Sequence, residues 1–336
     1  MDILTQGLLG AAMAQTVAQP KEARQAMIIG FFSGLLADLD VLIQSSTDAL
    51  LMLEYHRHFT HSIFFIPLGA LIAALLLWPF FRKSLSFARL YLFAVLGFSL
   101  SGFIDTCTSY GTYLFWPLYD ERISLNIISV LDPVFTVVLM IAVLIAVFKR
   151  QARFAKSGLI FCTCYLLLGT FQHYQAQSLV LALAQNRGHV IERAVIKPTM
   201  GNLVLWRSSY ISNDEIHVDA IRVGLVSEPI IYEGSSLPVF KPERDLINVP
   251  KDSRLYQDVM RFKLLVDGYI ALHPQQPELL GDIRYSMLPT STDPLWAVTL
   301  NLKNHDKHVN YDFYRKNDST LRQRFMDMLL GKPGIY

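Results

Sequence analysis

Apolar residues fill the first half of this chain in long runs, whereas the second half is mostly polar. Four runs reach the length of about 20 apolar residues that a membrane-spanning helix needs: roughly 60–80, 88–108, 127–148 and 157–176. A fifth run, 25–43, is long enough but ends in Asp38-Leu39-Asp40. A sixth run, 5–19, is short, and it fits a span, a re-entrant segment or a helix packed inside the bundle. The pattern predicts five or six membrane helices.

The polar second half carries shorter patterns. Apolar runs over Val218–Val226 and Trp296–Leu302 predict β-strands, and the spacing over Leu255–Leu272 predicts a helix. An amphipathic run, Ser319–Leu330, predicts a last helix that ends at Gly331. Strands and helices together indicate a mixed α+β domain.

Composition places the boundary between the two halves. Only 17% of the 336 residues are charged, and these are sparse up to about residue 185 and dense from Glu192 onward. We therefore predict an α-helical polytopic membrane domain of about five or six helices, residues 1–184, followed by a smaller soluble α+β domain, residues 185–336. The net charge of +2 gives no broad basic surface, which argues against a nucleic-acid partner.

The basic residues of the short loops alternate between two sides of the predicted membrane. Loops 44–59 and 109–126 contain one arginine each, whereas the other loops are richer in basic residues: Lys21, Arg24, Arg82, Lys83, Arg89, Lys149, Arg150, Arg153 and Lys156. Cytoplasmic loops are enriched in Lys and Arg. With six spans, this rule predicts that the N-terminus and the C-terminal domain are both extracytoplasmic.

Ionisable residues gather at the predicted outer ends of the helices. They are two aspartates that end the second helix, three residues around the start of the third, and one at the end of the fourth: Asp38, Asp40, His56, Arg57, His61 and Asp105. Ionisable groups near spans are costly to bury, so they indicate function. Carboxylates and imidazoles are ligands for Zn²⁺, Mn²⁺ or Fe²⁺.

Asp38 and Asp40 would point about 200° apart on a regular helix. The helix must therefore end or unwind there if both serve one site.

Simpler explanations exist for each residue alone. Asp38 and Asp40 fit a helix end in the headgroup region, and His56 fits a solvated loop. Arg57 fits a contact with lipid phosphate. Asp132 precedes a proline and is predicted to cap a helix. A transporter is disfavoured because the charges lie at one face and not at the midplane. The convergence of several residues on one face favours a metal site.

Three strings of this sequence resemble the YdjM-type family of LexA-regulated inner-membrane proteins, to which metal-dependent hydrolysis is attributed. They are Asp38-Leu39-Asp40-Val41, His56-Arg57-His58-Phe59-Thr60-His61-Ser62 and Asp105-Thr106-Cys107-Thr108-Ser109-Tyr110-Gly111. The second half is similar to that of longer members at Lys197-Pro198-Thr199-Met200-Gly201-Asn202 and Asp282-Ile283-Arg284-Tyr285.

The resemblance implies a multi-pass protein of the bacterial inner membrane that hydrolyses its substrate with a divalent metal, Zn²⁺ first, with Mn²⁺ or Fe²⁺ as alternatives. The expected metal ligands are Asp38, Asp40, His56, His61 and Asp105. The expected catalytic residues are Asp40, His56 and Arg57, with Arg57 neutralising an anionic substrate. Because the site lies at headgroup depth, we expect a phosphate-ester or lipid-linked substrate at the outer interface of the lipid bilayer.

The sequence departs from the family pattern at two positions. Gln6 and Ser101 stand where the family usually carries histidine. An amide oxygen is a poorer Zn²⁺ ligand than imidazole, and a serine hydroxyl is poorer still. The departures leave three outcomes open: a single metal, a harder metal, or an inactive member that serves as an envelope binding or structural protein.

Overall fold

The computed structural model describes residues 1–224, 227–315 and 318–333, and it divides the chain into two compact units. The first unit contains Met1–Leu42, Tyr55–Phe171 and Met200–Leu203. The second contains Ile43–Glu54, Gln172–Thr199 and the chain from Val204 onward. Both units are discontinuous in sequence. The predicted division after residue 184 stays a prediction.

Helices make up most of the N-terminal half. In chain order they are α1 (Ile3–Gln15), α2 (Ala23–Leu36), α3 (Leu51–Tyr55), α4 (Ile66–Phe81), α5 (Phe87–Phe98), α6 (Ser101–Cys107), α7 (Pro133–Lys149) and α8 (Ala152–Asn186). Short 3₁₀ turns occupy Pro20–Glu22, Ala37–Leu42 and Phe59–His61. The predicted cap of α7 is confirmed, because the side chain of Asp132 accepts a hydrogen bond from the Phe135 backbone N–H.

Several of these helices are apolar enough to cross a membrane. Among the described residues, three helical segments have the necessary length and hydropathy: Pro20–Leu42, Phe87–Cys107 and Ala152–Asn186. A bent pair, Leu51–His61 with Ile66–Phe81, would add a fourth as a broken span. The chain is therefore a membrane protein, and the six spans of the sequence analysis remain a prediction.

Close helix packing fixes the part of the first unit that carries the polar cluster. A Cβ built on Gly30 of α2 would lie 2.3 Å from the backbone oxygen of Gly10 in α1, and one on Gly97 of α5 would lie 2.7 Å from the Cα of Gly30. Small residues let helix backbones approach this closely in membranes. The glycines therefore hold α1, α2 and α5 together at their crossing.

The second unit is built on two antiparallel four-stranded sheets. The first has the order β1 (Arg193–Pro198), β2 (Leu205–Ser212), β3 (Glu215–Arg222) and β4 (Ile230–Pro238). The second has the order β5 (Ile270–His273), β6 (Gln276–Asp282), β7 (Trp296–Thr299) and β8 (Asn310–Phe313). Its helices are α9 (Pro242–Asp245), α10 (Arg254–Leu265) and α11 (Ser319–Leu330), together with most of α3 and the C-terminal part of α8.

The fold class is confirmed in outline, as a helical membrane region followed by a domain with β-sheets. The predicted terminal helix matches α11, and the predicted strands coincide in part with β3 and β7. Val226 lies outside the described residues. The prediction of one helix over Leu255–Leu272 is wrong in its last third, because Asp267 and Gly268 have positive φ and the chain continues as β5.

A loop from the membrane half contributes to the core of the second unit. Leu50, which precedes α3, is fully buried in the same apolar cluster as Leu255, Val259 and Phe262 of α10. Burial of such a side chain contributes about 1.5–3 kcal/mol. Segment 43–54 is therefore an integral part of a domain whose remaining residues follow more than a hundred positions later.

Candidate metal centre

Breaks in the helices bring the predicted cluster together in the first unit. Helix α2 ends at Leu36, and the 3₁₀ turn Ala37–Leu42 carries Asp38 and Asp40, as the sequence analysis required. The 3₁₀ turn Phe59–His61 supplies His61, and α6 supplies Asp105. All four side chains are at most 14% exposed, although they belong to three separate elements.

Three of the predicted residues place ligand atoms around one point. Three atoms that could bind a metal lie within 4.8 Å of one another, one each from Asp38, His61 and Asp105. Nε2 of His61 is 3.3 Å from Oδ1 of Asp38 and 3.0 Å from Oδ2 of Asp105. Two atoms bound to one ion at about 2.1 Å are separated by about 3.0–3.4 Å at the usual angles. The two distances fit this range.

Unsatisfied polar atoms mark the same place. Neither carboxylate oxygen of Asp38, nor Nε2 of His61, nor Oε1 of Gln6 makes a hydrogen bond with the described residues, although all four atoms are buried. Buried polar atoms without partners are costly and rare. A cation coordinated by these atoms would satisfy them, so the residues fit a divalent metal.

Asp40 lies on the Nδ1 side of the His61 ring, and its carboxylate is hydrogen-bonded by the protein. Its Oδ2 accepts hydrogen bonds from the Arg57 backbone N–H at 2.7 Å and from Oγ1 of Thr60 at 2.6 Å. Nδ1 of His61 is 3.3 Å from the same oxygen. A carboxylate on Nδ1 turns Nε2 of a histidine toward a metal. The geometry thus separates Asp40 from Asp38, although both were expected as ligands.

His56 contacts Asp40 and not the three ligand atoms. Its Nδ1 is 2.9 Å from Oδ1 of Asp40, and its side chain is 34% exposed. Neighbouring His58 packs on the rings of Tyr113 and Trp116, away from the cluster. Asp40 and His56 therefore form a carboxylate–imidazole pair at the edge of the site, the arrangement of a proton acceptor.

Arg57 is buried inside the cluster. Its Nε is 3.2 Å from Oδ2 of Asp105, and its other nitrogens donate to Oγ1 of Thr108 and to the carbonyl of Met1. The amino group of Met1 also contacts Asp105. The carboxylate of Asp105 thus has the positive charge of the Arg57 guanidinium beside it.

The two positions where the family pattern is broken behave differently. The amide nitrogen of Gln6 donates to Oδ2 of Asp105 at 3.0 Å, so Gln6 belongs to the cluster. The hydroxyl of Ser101 donates instead to the carbonyl of Gly34. Thr60 is not among the expected site residues, yet it bonds both Asp40 and His61. Its place beside His61 in the sequence was the available signal.

A second charged cluster lies in the second unit, and no sequence pattern pointed to it. Arg261 of α10 donates to Asp48 at 3.0 Å, to Glu54 at 2.8 Å and to Asp258 at 2.9 Å. Nδ1 of His308 is 2.8 Å from Oδ2 of Asp258. The cluster also contains three ligand atoms close enough to bind one metal ion, one each from Asp48, Asp258 and His308. The guanidinium already satisfies these carboxylates, so the cluster is an ion-pair network.

Comparison with known proteins identifies one family. The family model described as YdjM inner membrane protein matches residues 1–176, which is more than half of the chain and includes every residue of the candidate metal centre. No curated protein and no solved structure matches the chain significantly.

Proposed function

We propose that this chain, which belongs to the YdjM inner membrane protein family, is a membrane-bound hydrolase that uses a divalent metal held by Asp38, His61 and Asp105. The observation that carries the proposal is the meeting of three ligand atoms, from three elements, in a buried site where neither the carboxylate of Asp38 nor Nε2 of His61 makes a hydrogen bond with the described residues. Oxygen and nitrogen donors in this combination are typical of catalytic metal sites with a position left for water.

The surrounding residues suit hydrolysis. A bound divalent ion would supply the positive charge that acidifies water and polarises a phosphoryl oxygen. His56 accepts the proton of the attacking water, and Asp40 stabilises the resulting imidazolium through Nδ1. Asp40 and Thr60 orient His61. Since Arg57 is buried against Asp105, we assign it the role of a counter-ion in place of the substrate-binding role expected from sequence.

The substrate class follows from the surroundings of the site. The turn that carries Asp38 and Asp40 also carries Leu39 and Leu42, which are 50% and 70% exposed. In a membrane protein such side chains face lipid. Entry of a substrate beside these side chains would suit a phosphate ester with a lipid portion. By the distribution of basic loops, we place the site at the extracytoplasmic face, together with the C-terminal domain.

An inactive family member is the second candidate. The observation that favours it is the hydroxyl of Ser101, which bonds Gly34 and contributes nothing to the cluster. Such a protein would serve as an envelope binding or structural protein. It would retain the fold of the cluster but bind no metal with useful affinity.

Metal content and hydrolysis distinguish the two candidates. Detergent-purified protein should contain close to one equivalent of a divalent metal, and it should hydrolyse a lipid phosphate ester. Asp38→Ala and His61→Ala should remove both properties. His58→Ala is the matched control, because His58 is three residues from His61 but contacts aromatic rings instead of the cluster. Metal-free protein, or hydrolysis unchanged in both cluster variants, would refute the proposal.

A further inference from the structure

The side chain of Gln6 is the least explained member of the cluster. It lies on α1 and is only 1% exposed. Its Nε2 donates to Oδ2 of Asp105 at 3.0 Å, while its Oε1 accepts no hydrogen bond from the described residues. The reverse assignment of the amide would set its oxygen against the carboxylate oxygen, so the hydrogen bond fixes which atom faces Asp105. The amide oxygen is therefore held in place without a partner.

The covalent geometry keeps this oxygen near the ligand atoms. Oxygen and nitrogen of an amide are bonded to one carbon, at about 1.23 and 1.33 Å. Given the 3.0 Å hydrogen bond, Oε1 of Gln6 lies within about 5.6 Å of Oδ2 of Asp105. That oxygen is in turn 3.0 Å from Nε2 of His61. The amide oxygen would meet a cation between Asp38, His61 and Asp105 if the side chain turned about the hydrogen bond that Nε2 makes with Asp105.

We infer that Gln6 supplies a fourth ligand through Oε1 and that it shifts the preference of the site toward a hard cation such as Mn²⁺. This inference rests on the proposed metal centre. With Gln6 the ligand set contains one imidazole nitrogen and three oxygens, which would leave positions for water around a six-coordinate ion. Carboxylate and carbonyl oxygens suit Mn²⁺, whereas imidazole suits Zn²⁺. Most N/O sites bind Zn²⁺ more tightly than Mn²⁺. The effect of Gln6 is therefore a smaller ratio of Zn²⁺ affinity to Mn²⁺ affinity.

Gln15 provides an internal comparison. It lies on the same helix, is also 1% exposed, and its Oε1 also lacks a hydrogen bond from the described residues. Its Nε2, however, donates to the backbone carbonyl of Val143. A buried amide oxygen without a hydrogen bond is thus not enough by itself to indicate a metal ligand. What distinguishes Gln6 is that its amide is bonded to Asp105.

The test measures the binding of Mn²⁺ and Zn²⁺ to the full chain in detergent after removal of bound metal. Gln6→His should raise the ratio of Zn²⁺ affinity to Mn²⁺ affinity by about tenfold or more, since loss of even an outer-shell partner of a metal ligand changes metal affinity by about 10–100-fold. Gln6→Leu, which removes the oxygen and keeps the volume, should weaken Mn²⁺ binding by about 10–100-fold. The electron paramagnetic resonance spectrum of bound Mn²⁺ should change in both variants.

Two further variants complete the test. Gln6→Glu keeps an oxygen at the same distance from the backbone and should keep the preference for Mn²⁺. A comparison of Gln6→Glu with Gln6→Leu therefore tests the oxygen even if Gln6→His does not fold. Gln15→His should leave the affinity ratio and the spectrum as in the wild type. Equal ratios in the wild type and in the Gln6→His and Gln6→Leu variants would overturn the role of Gln6 alone. Absence of any divalent ion binding by the wild type would overturn the metal centre itself.

Discussion

Asp38 and Asp40 are separated by one residue, yet their surroundings differ. Both oxygens of Asp38 lack hydrogen bonds from the described residues, whereas Asp40 accepts them from Arg57 and Thr60 and contacts two histidines. Asp38 therefore keeps lone pairs free for a cation. Asp40 contacts Nδ1 of His61, whereas Asp105 contacts Nε2, the ring nitrogen that also faces Asp38. The structure therefore favours Asp38 as a ligand and Asp40 as the residue that orients His61.

Substitution of Asp40 tests this division. Asp40→Asn keeps the size of the side chain but removes its charge and one of its acceptor oxygens. Because His61 would lose the group that orients it, metal affinity should fall by about 10–100-fold while some binding remains. A metal titration of the purified variant provides the measurement.

Asp120→Asn is the control for that substitution, because Asp120 is exposed and lies 3.9 Å from His58. If Asp40→Asn abolished binding as completely as Asp38→Ala, Asp40 would be a ligand, as the sequence analysis expected. If it changed nothing, the orienting role would be wrong.

Single-residue chemistry in this site was only partly predictable. Residue type and spacing led to Asp38, His61 and Asp105, which the structure brings together. They could not separate these from Asp40 or His56, since that distinction depends on which hydrogen bonds each side chain makes after folding. Thr60 was overlooked for the same reason, because a hydroxyl is ordinary in sequence and gains its role only beside a buried carboxylate.

At the scale of elements, a helix end was predictable where a polar string marks it and was not predictable where apolar residues continue beyond it. The Asp-Leu-Asp string required α2 to end, and it ends at Leu36. The end of α10 was placed seven residues too late, at Leu272 instead of Leu265. The apolar residues of β5 continue the helical spacing of α10, but the positive φ angles of Asp267 and Gly268 separate the two elements. Short apolar runs fit either structure.

The start of α7 offers a test at this scale. One oxygen of Asp132 accepts the hydrogen bond from the Phe135 N–H, and the other accepts one from the hydroxyl of Tyr165 in α8 at 2.9 Å. Asp132→Ala would lose a cap, about 1 kcal/mol, and a buried hydrogen bond, about 1 kcal/mol. We therefore expect a loss of about 2 kcal/mol in the free energy of unfolding, measured by thermal or denaturant unfolding in detergent.

Two variants separate these contributions. Asp132→Asn keeps the capping oxygen and should recover most of the stability. Tyr165→Phe removes only the bond between helices and should cost about half as much as Asp132→Ala. Equal stability of Asp132→Ala and wild type would show that the cap has no effect on folding.

At the scale of the whole molecule, the charge network around Arg261 joins distant parts of the second unit. Asp48 and Glu54 come from the segment before and within α3, whereas Asp258 belongs to α10. Burial raises the pKa of Asp48, but the hydrogen bond and charge of Arg261 outweigh burial, so this pKa lies below its ordinary value. The ion pair therefore stabilises the folded unit when Asp48 is ionised.

Removal of Arg261 should make this contribution visible. Arg261→Met should lower the free energy of unfolding at pH 7 by about 1–3 kcal/mol, between the values for exposed and buried pairs. A carboxylate with a lowered folded-state pKa contributes above the pKa of unfolded Asp, about 3.9, and loses that contribution as pH falls through the folded pKa. The difference between variant and wild type should therefore shrink below about pH 4.

Arg254→Met on the same helix is the control, because Arg254 is exposed. A difference between wild type and Arg261→Met that stays constant from pH 7 to pH 3 would exclude the ionisation of Asp48 as its source.

The predicted orientation is also tested on the whole chain. A C-terminal alkaline phosphatase fusion should be active, and a C-terminal fluorescent protein fusion should be dark, because the second unit is expected outside the cytoplasm. Fusions after Lys149, in a predicted cytoplasmic loop, should give the opposite pair of results. Fluorescence of the C-terminal fusion would show that the second unit is cytoplasmic, and the candidate site would then be assigned to the cytoplasmic face.

The contribution of segment 43–54 to the second unit also sets an order of events during synthesis. Leu50 packs against residues of α10, and Asp48 pairs with Arg261, 213 positions later in the chain. At about 5–20 residues per second, roughly 10–40 s pass between the synthesis of these two residues. During that interval the early segment has emerged but its partners do not exist. The ribosome must therefore synthesise α10 and the strands that pack with it before this unit can fold.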